Sequence, residues 1–435
     1  MEPQREDIES QATNGATAEK DVKPEPQSLP SSTFMRVCHN FSTVWFTVAM
    51  DTGVLSVVLR QFPYPSHWTR VCSAIMFVTT VVLAATFASI YLIRWTRFRK
   101  DTFNATHLEA EEIALQACPA ITWALITIQV QLTCAQSWGY GCTILAYVMW
   151  WIGLVWIVSI CVTLYLHLIK HPSQSIIDRF LPTAVFIPIV GIFTQANAAG
   201  VIVNGAINDT RMSAAMAVPI IIVGFMLVGF GLGLAIVMYS IYAHRLMTSG
   251  FPEALKIPSM ILTIGPCGQS ASALLNLSAA AVAHGNFEKY AKGFFLTSTG
   301  ADIIRIQCTL AALLLVGFAI FWMCVDYYAL VTGLIRRKIH PSLFWWSSIF
   351  PVGTVVTALS GLGKDLDSPA FKICSIILFV FLLCIYFVNW GFTVPMTWSG
   401  KFLGLEPRVD RLDDASKSGH HWHSLHKGAL RMRDD

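Results

Sequence analysis

Residues 343–363 read LFWWSSIFPVGTVVTALSGLG. The stretch carries no charge and is long enough to cross a bilayer as a helix, which takes about 20 apolar residues. Yet Pro351 interrupts it, and a proline removes a backbone hydrogen bond. Ser347, Phe350, Thr354 and Thr357 share one helical face. In lipid a freed carbonyl must be satisfied by protein or by cavity water. The stretch therefore reads as a helix surrounded by other helices and turned toward something wet.

Working outward, nine more segments of spanning length fall near 41–60, 68–95, 114–136, 140–168, 180–204, 215–243, 255–283, 304–332 and 370–394. They alternate in character. Odd-numbered segments carry interior prolines: Pro119 in the third, Pro182 and Pro188 in the fifth, Pro258 and Pro266 in the seventh, Pro351 in the ninth; the first has Gly53 instead. Even-numbered ones have prolines only near their ends, at Pro219 and Pro395. The polar residues follow the same alternation. The first segment offers Thr47, Asp51 and Thr52; the third Thr122, Gln129 and Thr133; the fifth Thr194, Gln195 and Asn197; the seventh Gln269, Ser272 and Asn276. Such groups often only join helices. Five stripes on every second segment predict instead an inner ring of five helices lining a pathway, with five outer helices around it.

Composition agrees. Of 435 residues, 54% are hydrophobic and 13% charged, about half the charge of a soluble domain. The net charge of +4 and the lack of a basic stripe argue against nucleic acid. The eleven cysteines contain no CxxC pair and lie largely in apolar runs, so they read as packing residues. Residues 1–33 and 401–435 are polar tails flanking a transport domain at 34–400. The first tail lacks a signal-peptide core; His420, His421, His423 and His426 in the second read as solvated. Lys and Arg concentrate in the loops after even segments, as at Arg94, Arg97, Arg99 and Lys100, which predicts both termini in the cytoplasm. The sequon at Asn208 then faces outside.

No Lys or Arg sits in the middle of an odd segment. An anion there would meet hydroxyls, amides and helix N-termini, which suits weak holding and conduction. Asp51 at mid-membrane should face a cavity or the interior. Two uses stay open for it: a neutral or proton-coupling group, or a hydrogen bond between helices. Phe350 in a wet stripe is either a hydrophobic gate or ordinary packing.

Several motifs resemble one family. They include Trp45-Phe46-Thr47-Val48-Ala49-Met50-Asp51-Thr52-Gly53, Phe62-Pro63-Tyr64-Pro65-Ser66-His67-Trp68, Trp138-Gly139-Tyr140-Gly141, Ile264-Gly265-Pro266-Cys267-Gly268-Gln269 and Phe344 through Thr354. Their order and spacing resemble the tellurite-resistance/dicarboxylate transporter family, especially its fungal sulfite efflux pumps, relatives of plant slow-type anion channels. The resemblance implies an all-α membrane protein of ten helices, five hairpins around a central pore. It further implies a homotrimer with one pore per subunit, and a pore-occluding phenylalanine that falls on Phe350. Departures touch the pore helices. Asp51 stands where the family usually has glycine, Cys267-Gly268-Gln269-Ser270-Ala271 replaces Leu-Gly-Gln-Gly-Gly, and Glu109, Glu111 and Glu112 precede the third segment in place of a His-Pro pattern.

The expectation is a plasma-membrane transporter of small anions, sulfite or bisulfite first, with proton coupling through Asp51 left open. A C4-dicarboxylate carrier is the alternative. The candidate pathway residues are Thr47, Asp51, Thr52, Gln129, Gln195, Asn197, Gln269, Ser272, Asn276, Ser347 and Thr354, with Phe350 as gate. No nucleotide-binding, HExxH or GxSxG motif occurs in the helices, so no cofactor, metal or enzymatic activity is expected. The partners are the anion, the bilayer and further copies of the chain.

Overall fold

The computed structural model describes residues 32–403 and 405, apart from 109, 171–181, 208, 209, 291, 337, 338 and 340. Most of both predicted tails, the four tail histidines and Asn208 lie outside the described residues. No strand occurs among those described. Ten long helices carry the fold: α1 (Phe46–Arg60), α2 (His67–Arg97), α3 (Ala117–Gln129), α4 (Tyr140–Lys170), α5 (Phe186–Gly205), α6 (Ala214–Ser249), α7 (Ile264–Val282), α8 (Ser298–Ile335), α9 (Ile349–Asp365) and α10 (Pro369–Trp398). A π-helical turn, Val130–Cys134, extends α3.

Consecutive helices pair as hairpins, α1 with α2 through to α9 with α10. The odd helices also contact one another in a closed circuit, α1–α3–α5–α7–α9–α1. Burial separates the two sets. The most apolar window is 89% buried in the first span and 100% in the fifth, against 11% in the second and 22% in the tenth. Lipid-exposed leucine, isoleucine, valine and phenylalanine on the even helices explain the low values.

The inner helices run parallel, because near end bonds near end and far end bonds far end. At the near side Thr43 bonds Glu112, and Thr183 bonds Ser259 at 2.7 Å. Midway, Phe350 meets Asp51 and Ser272 meets Thr357. At the far side Ser360 bonds the Gln61 carbonyl, and Arg60 bonds the Leu132 carbonyl.

Among the described residues nine helical segments are long and apolar enough to cross a membrane by composition, and α7 is not among them. Gln269, Ser270, Ser272, Asn276 and Ser278 account for its polarity. It nevertheless packs extensively, against α5, α8 and α9. Two glycines let it in so closely. A Cβ on Gly200 of α5 would stand 2.4 Å from the Asn276 carbonyl carbon, and one on Gly268 would stand 2.4 Å from Thr354 Oγ1.

The prolines correct one expectation. They do not kink the inner helices in mid-span. Pro119, Pro188, Pro266 and Pro351 are each the third residue of α3, α5, α7 and α9. A first-turn N–H has no acceptor one turn back within the helix, so its loss costs little there. Short 3₁₀ segments lead into α1, α5, α7 and α9: Thr43–Trp45, Thr183–Val185, Ala254–Thr263 and Leu343–Ser348. In α5, α7 and α9 the proline marks where tight 3₁₀ winding gives way to α-helix.

Candidate functional site

The axis of the ring is lined by the odd helices, and Phe350 lies at the α-helical start of α9 with 2% exposure. Its backbone N–H donates to Asp51 Oδ1 at 3.1 Å. Phe350 is the second residue of α9, and the first-turn N–H groups of an α-helix have no partner within it. Asp51 supplies one from across the ring. Asp51 is fully buried, and its Oδ2 finds no partner. Of the two uses open for it from sequence, the structure supplies the helix-to-helix bond.

The structure brings several predicted residues together midway along α5, α7 and α9. Asn276 Nδ2 donates to Asn197 Oδ1 at 2.9 Å, and Ser272 donates to Thr357 at 3.2 Å. Thr354 returns its hydroxyl to the Pro351 carbonyl. Gln269 and Ser347 make no side-chain hydrogen bond among the described residues, and neither is sealed away as an orphaned buried atom. Those two buried polar groups are left uncommitted within the ring.

Other predicted residues are engaged elsewhere. Gln129 donates to Ser56 at 2.6 Å and accepts from Thr133, tying α3 to the α1–α2 hairpin. Ser56 and Ser73 there exchange bonds with each other's carbonyls. Gln195 donates to the Trp150 carbonyl, and the Trp150 indole returns a bond to the Gln195 carbonyl, so this amide faces α4. Thr52 meets Tyr386 of α10 at 3.1 Å, and Thr47 bonds the Val44 carbonyl.

Two residues escaped the sequence reading. Gln131, in the π turn, is fully buried with both amide atoms unpartnered; π turns recur at functional sites. Arg60 ends α1 at the far mouth and donates to the Leu132 carbonyl and to the Gln136 side chain. Both acceptors are uncharged, so neither cancels its positive charge. The cue was present in sequence: an arginine directly closing an apolar span.

A closed ring of five parallel helices, bridged midway by amides and hydroxyls and jacketed by five helices with apolar outer faces, defines a multi-pass membrane protein of the channel or transporter class. Residues 40–394 match the voltage-dependent anion channel family, and the chain belongs to it. The sulfite efflux pump of Arthroderma benhamiae is 27% identical over 82% of this chain and 90% of its own length. That of Trichophyton rubrum is equally similar. The malic acid transport protein of Schizosaccharomyces pombe is 24% identical over 80% of this chain and 76% of its own.

Proposed function

We propose that this chain carries sulfite or bisulfite out of the cell across the plasma membrane, along the axis of the five-helix ring, with Phe350 as gate. The observation that carries the reading is the ring itself. Its parallel helices aim their N-termini, the positive ends of their dipoles, at the same side. On the predicted topology that side is the cytoplasm, where the anion enters. Midway it meets neutral amides and hydroxyls rather than a fixed cation, so it is held weakly enough to leave. An inside-negative potential favours its exit by about 2.3 kcal/mol per charge per 100 mV. Likeness to sulfite efflux pumps at 27% identity supports the substrate.

Gln269, Ser272, Asn276, Asn197, Ser347 and Thr354 line the path in this reading, with Asp51 positioning the gate. Thr47, Thr52, Gln129 and Gln195 fix the ring's walls. Both termini are cytoplasmic, residues 34–400 form the transport domain, and three copies assemble with one path each. The chain acts as a conduit and not as an enzyme. The likeness to a malic acid transport protein favours a second reading, a C4-dicarboxylate carrier.

Flux into proteoliposomes at a set potential, sulfite against malate, tests the choice. Voltage-following sulfite flux with no malate competition is the expected result. Malate flux without sulfite flux would move the chain to the dicarboxylate reading.

A further inference from the structure

Asp326 lies outside the ring, on α8, fully buried. Its Oδ2 accepts the Thr263 hydroxyl at 2.7 Å, while its Oδ1 has no partner. One turn earlier, Trp322 Nε1 is buried without an acceptor, and across from it on α6 Tyr242 Oη is buried without a partner. The indole lies 5.8 Å from the Tyr242 ring and stacks at 5.5 Å on Tyr239. Tyr239 donates to the Thr263 carbonyl, so Thr263 is held at both its side chain and its backbone.

These three unpartnered groups complement one another. An indole N–H only donates, a phenol donates or accepts, and a carboxylate oxygen accepts. One water can take the indole and phenol protons and give one of its own to Asp326, which is the number of partners a buried water needs. A bare cation does not fit, because Trp322 would aim a hydrogen at it. Among the described residues no Lys, Arg or His forms an ion pair with Asp326. The titratable groups around it are all neutral in their usual forms: Tyr239 and Tyr242 from α6, Cys267 from α7 and Tyr327 from α8 itself.

We propose that Asp326, Trp322 and Tyr242 form a buried site for one water and one exchangeable proton, and that its protonation sets the conformation of Ala254–Thr263 at the start of α7. Thr263 ends that 3₁₀ segment at the point where it runs into α7, so a change at its side chain acts on the junction itself. The segment also holds Ser259, which bonds Thr183 at the lead-in to α5. A proton gained on Oδ1 turns an acceptor into a donor, so the water must reverse its orientation. The same step removes the charge that grips the Thr263 hydroxyl. Through Thr263 and Ser259 the change reaches two of the five inner helices. This site is separate from Asp51, which faces α9.

Infrared difference spectra of the purified full chain, recorded on acidification without substrate, read the site directly. A protonated-carboxyl band is expected that D326N abolishes, D51N leaves in place, and W322F shifts by removing one donor from the water. In proteoliposomes D326N is expected to transport while losing the pH dependence of the wild type. Spectra that D326N leaves unchanged at every pH would overturn the proposal, as would a D326N flux with the wild-type pH profile. W322F keeps the test open if D326N fails to fold. The spectra involve no substrate, so they stand or fall apart from the sulfite reading.

Discussion

Replacing Asp51 by alanine isolates the bond on which the proposed gate at Phe350 rests. Asp51 Oδ1 is the acceptor of the Phe350 N–H, one of the first-turn donors of α9 that the helix itself does not satisfy. In D51A that N–H is stranded at a fully buried position. An unsatisfied buried donor costs about 1–3 kcal/mol. Set against the closed state alone, this shifts the closed-to-open ratio by roughly 5- to 150-fold. D51N retains an acceptor oxygen at the same place and removes only the charge. Anion flux in proteoliposomes should therefore rise in D51A and stay near wild type in D51N, at equal yields of folded protein. Equal flux in the two variants would refute the reasoning, because charge rather than the hydrogen bond would then be the operative property. Reduced flux from folded D51A would refute it too, since the bond would then hold the path open.

Phe350→Ala should raise flux measured without a driving potential, and combining it with D51A should add little, because both act on one gate. Gly268→Ala should destabilise the chain by about 1–3 kcal/mol, read as a lower thermal midpoint. Its new methyl would stand 2.9 Å from the Val355 backbone nitrogen as well as against Thr354. Gln269→Leu, which removes the available amide at mid-path, should raise the sulfite concentration for half-maximal flux with little change in protein yield. Arg60→Gln should weaken anion capture from the far side and reduce uptake in right-side-out vesicles more than release. Kinetics in both directions check it.

The alternation of the ten segments was readable because it rests on a property each residue carries alone: whether it tolerates lipid. Phe350, Asn197, Ser272 and Asn276 were singled out in the same way, as polar or bulky groups on a repeating face, and each bonds a neighbouring inner helix. What could not be read was which neighbour each face would meet. Gln129 and Gln195 lie on inner helices as expected, but their amides turn toward Ser56 and Trp150. Helical spacing gives a direction around one axis and says nothing of which helix stands there. In α3 the π turn at Val130–Cys134 adds a residue to one turn, so a 3.6-residue count loses its phase, and Gln131 was missed. The prolines were correctly taken as signs of the inner set. In α5, α7 and α9 their third-residue position depended on where the 3₁₀ segments ended, which is a matter of packing.

The polarity of α7 bears on how the protein is made. A segment carrying two amides and three serines is a poor substrate for insertion on its own, since each polar side chain lowers its partition into lipid. It must enter the membrane together with α8, its strongly apolar hairpin partner, and stay provisional until α5 and α9 accept its polar face. One of the five helices that make the ring is thus the one least able to exist without it. Weakening the α5–α7 seam at Gly200, where an added Cβ would meet the Asn276 backbone, should expose that dependence as failed membrane integration and degradation of the nascent chain, before transport can be measured at all.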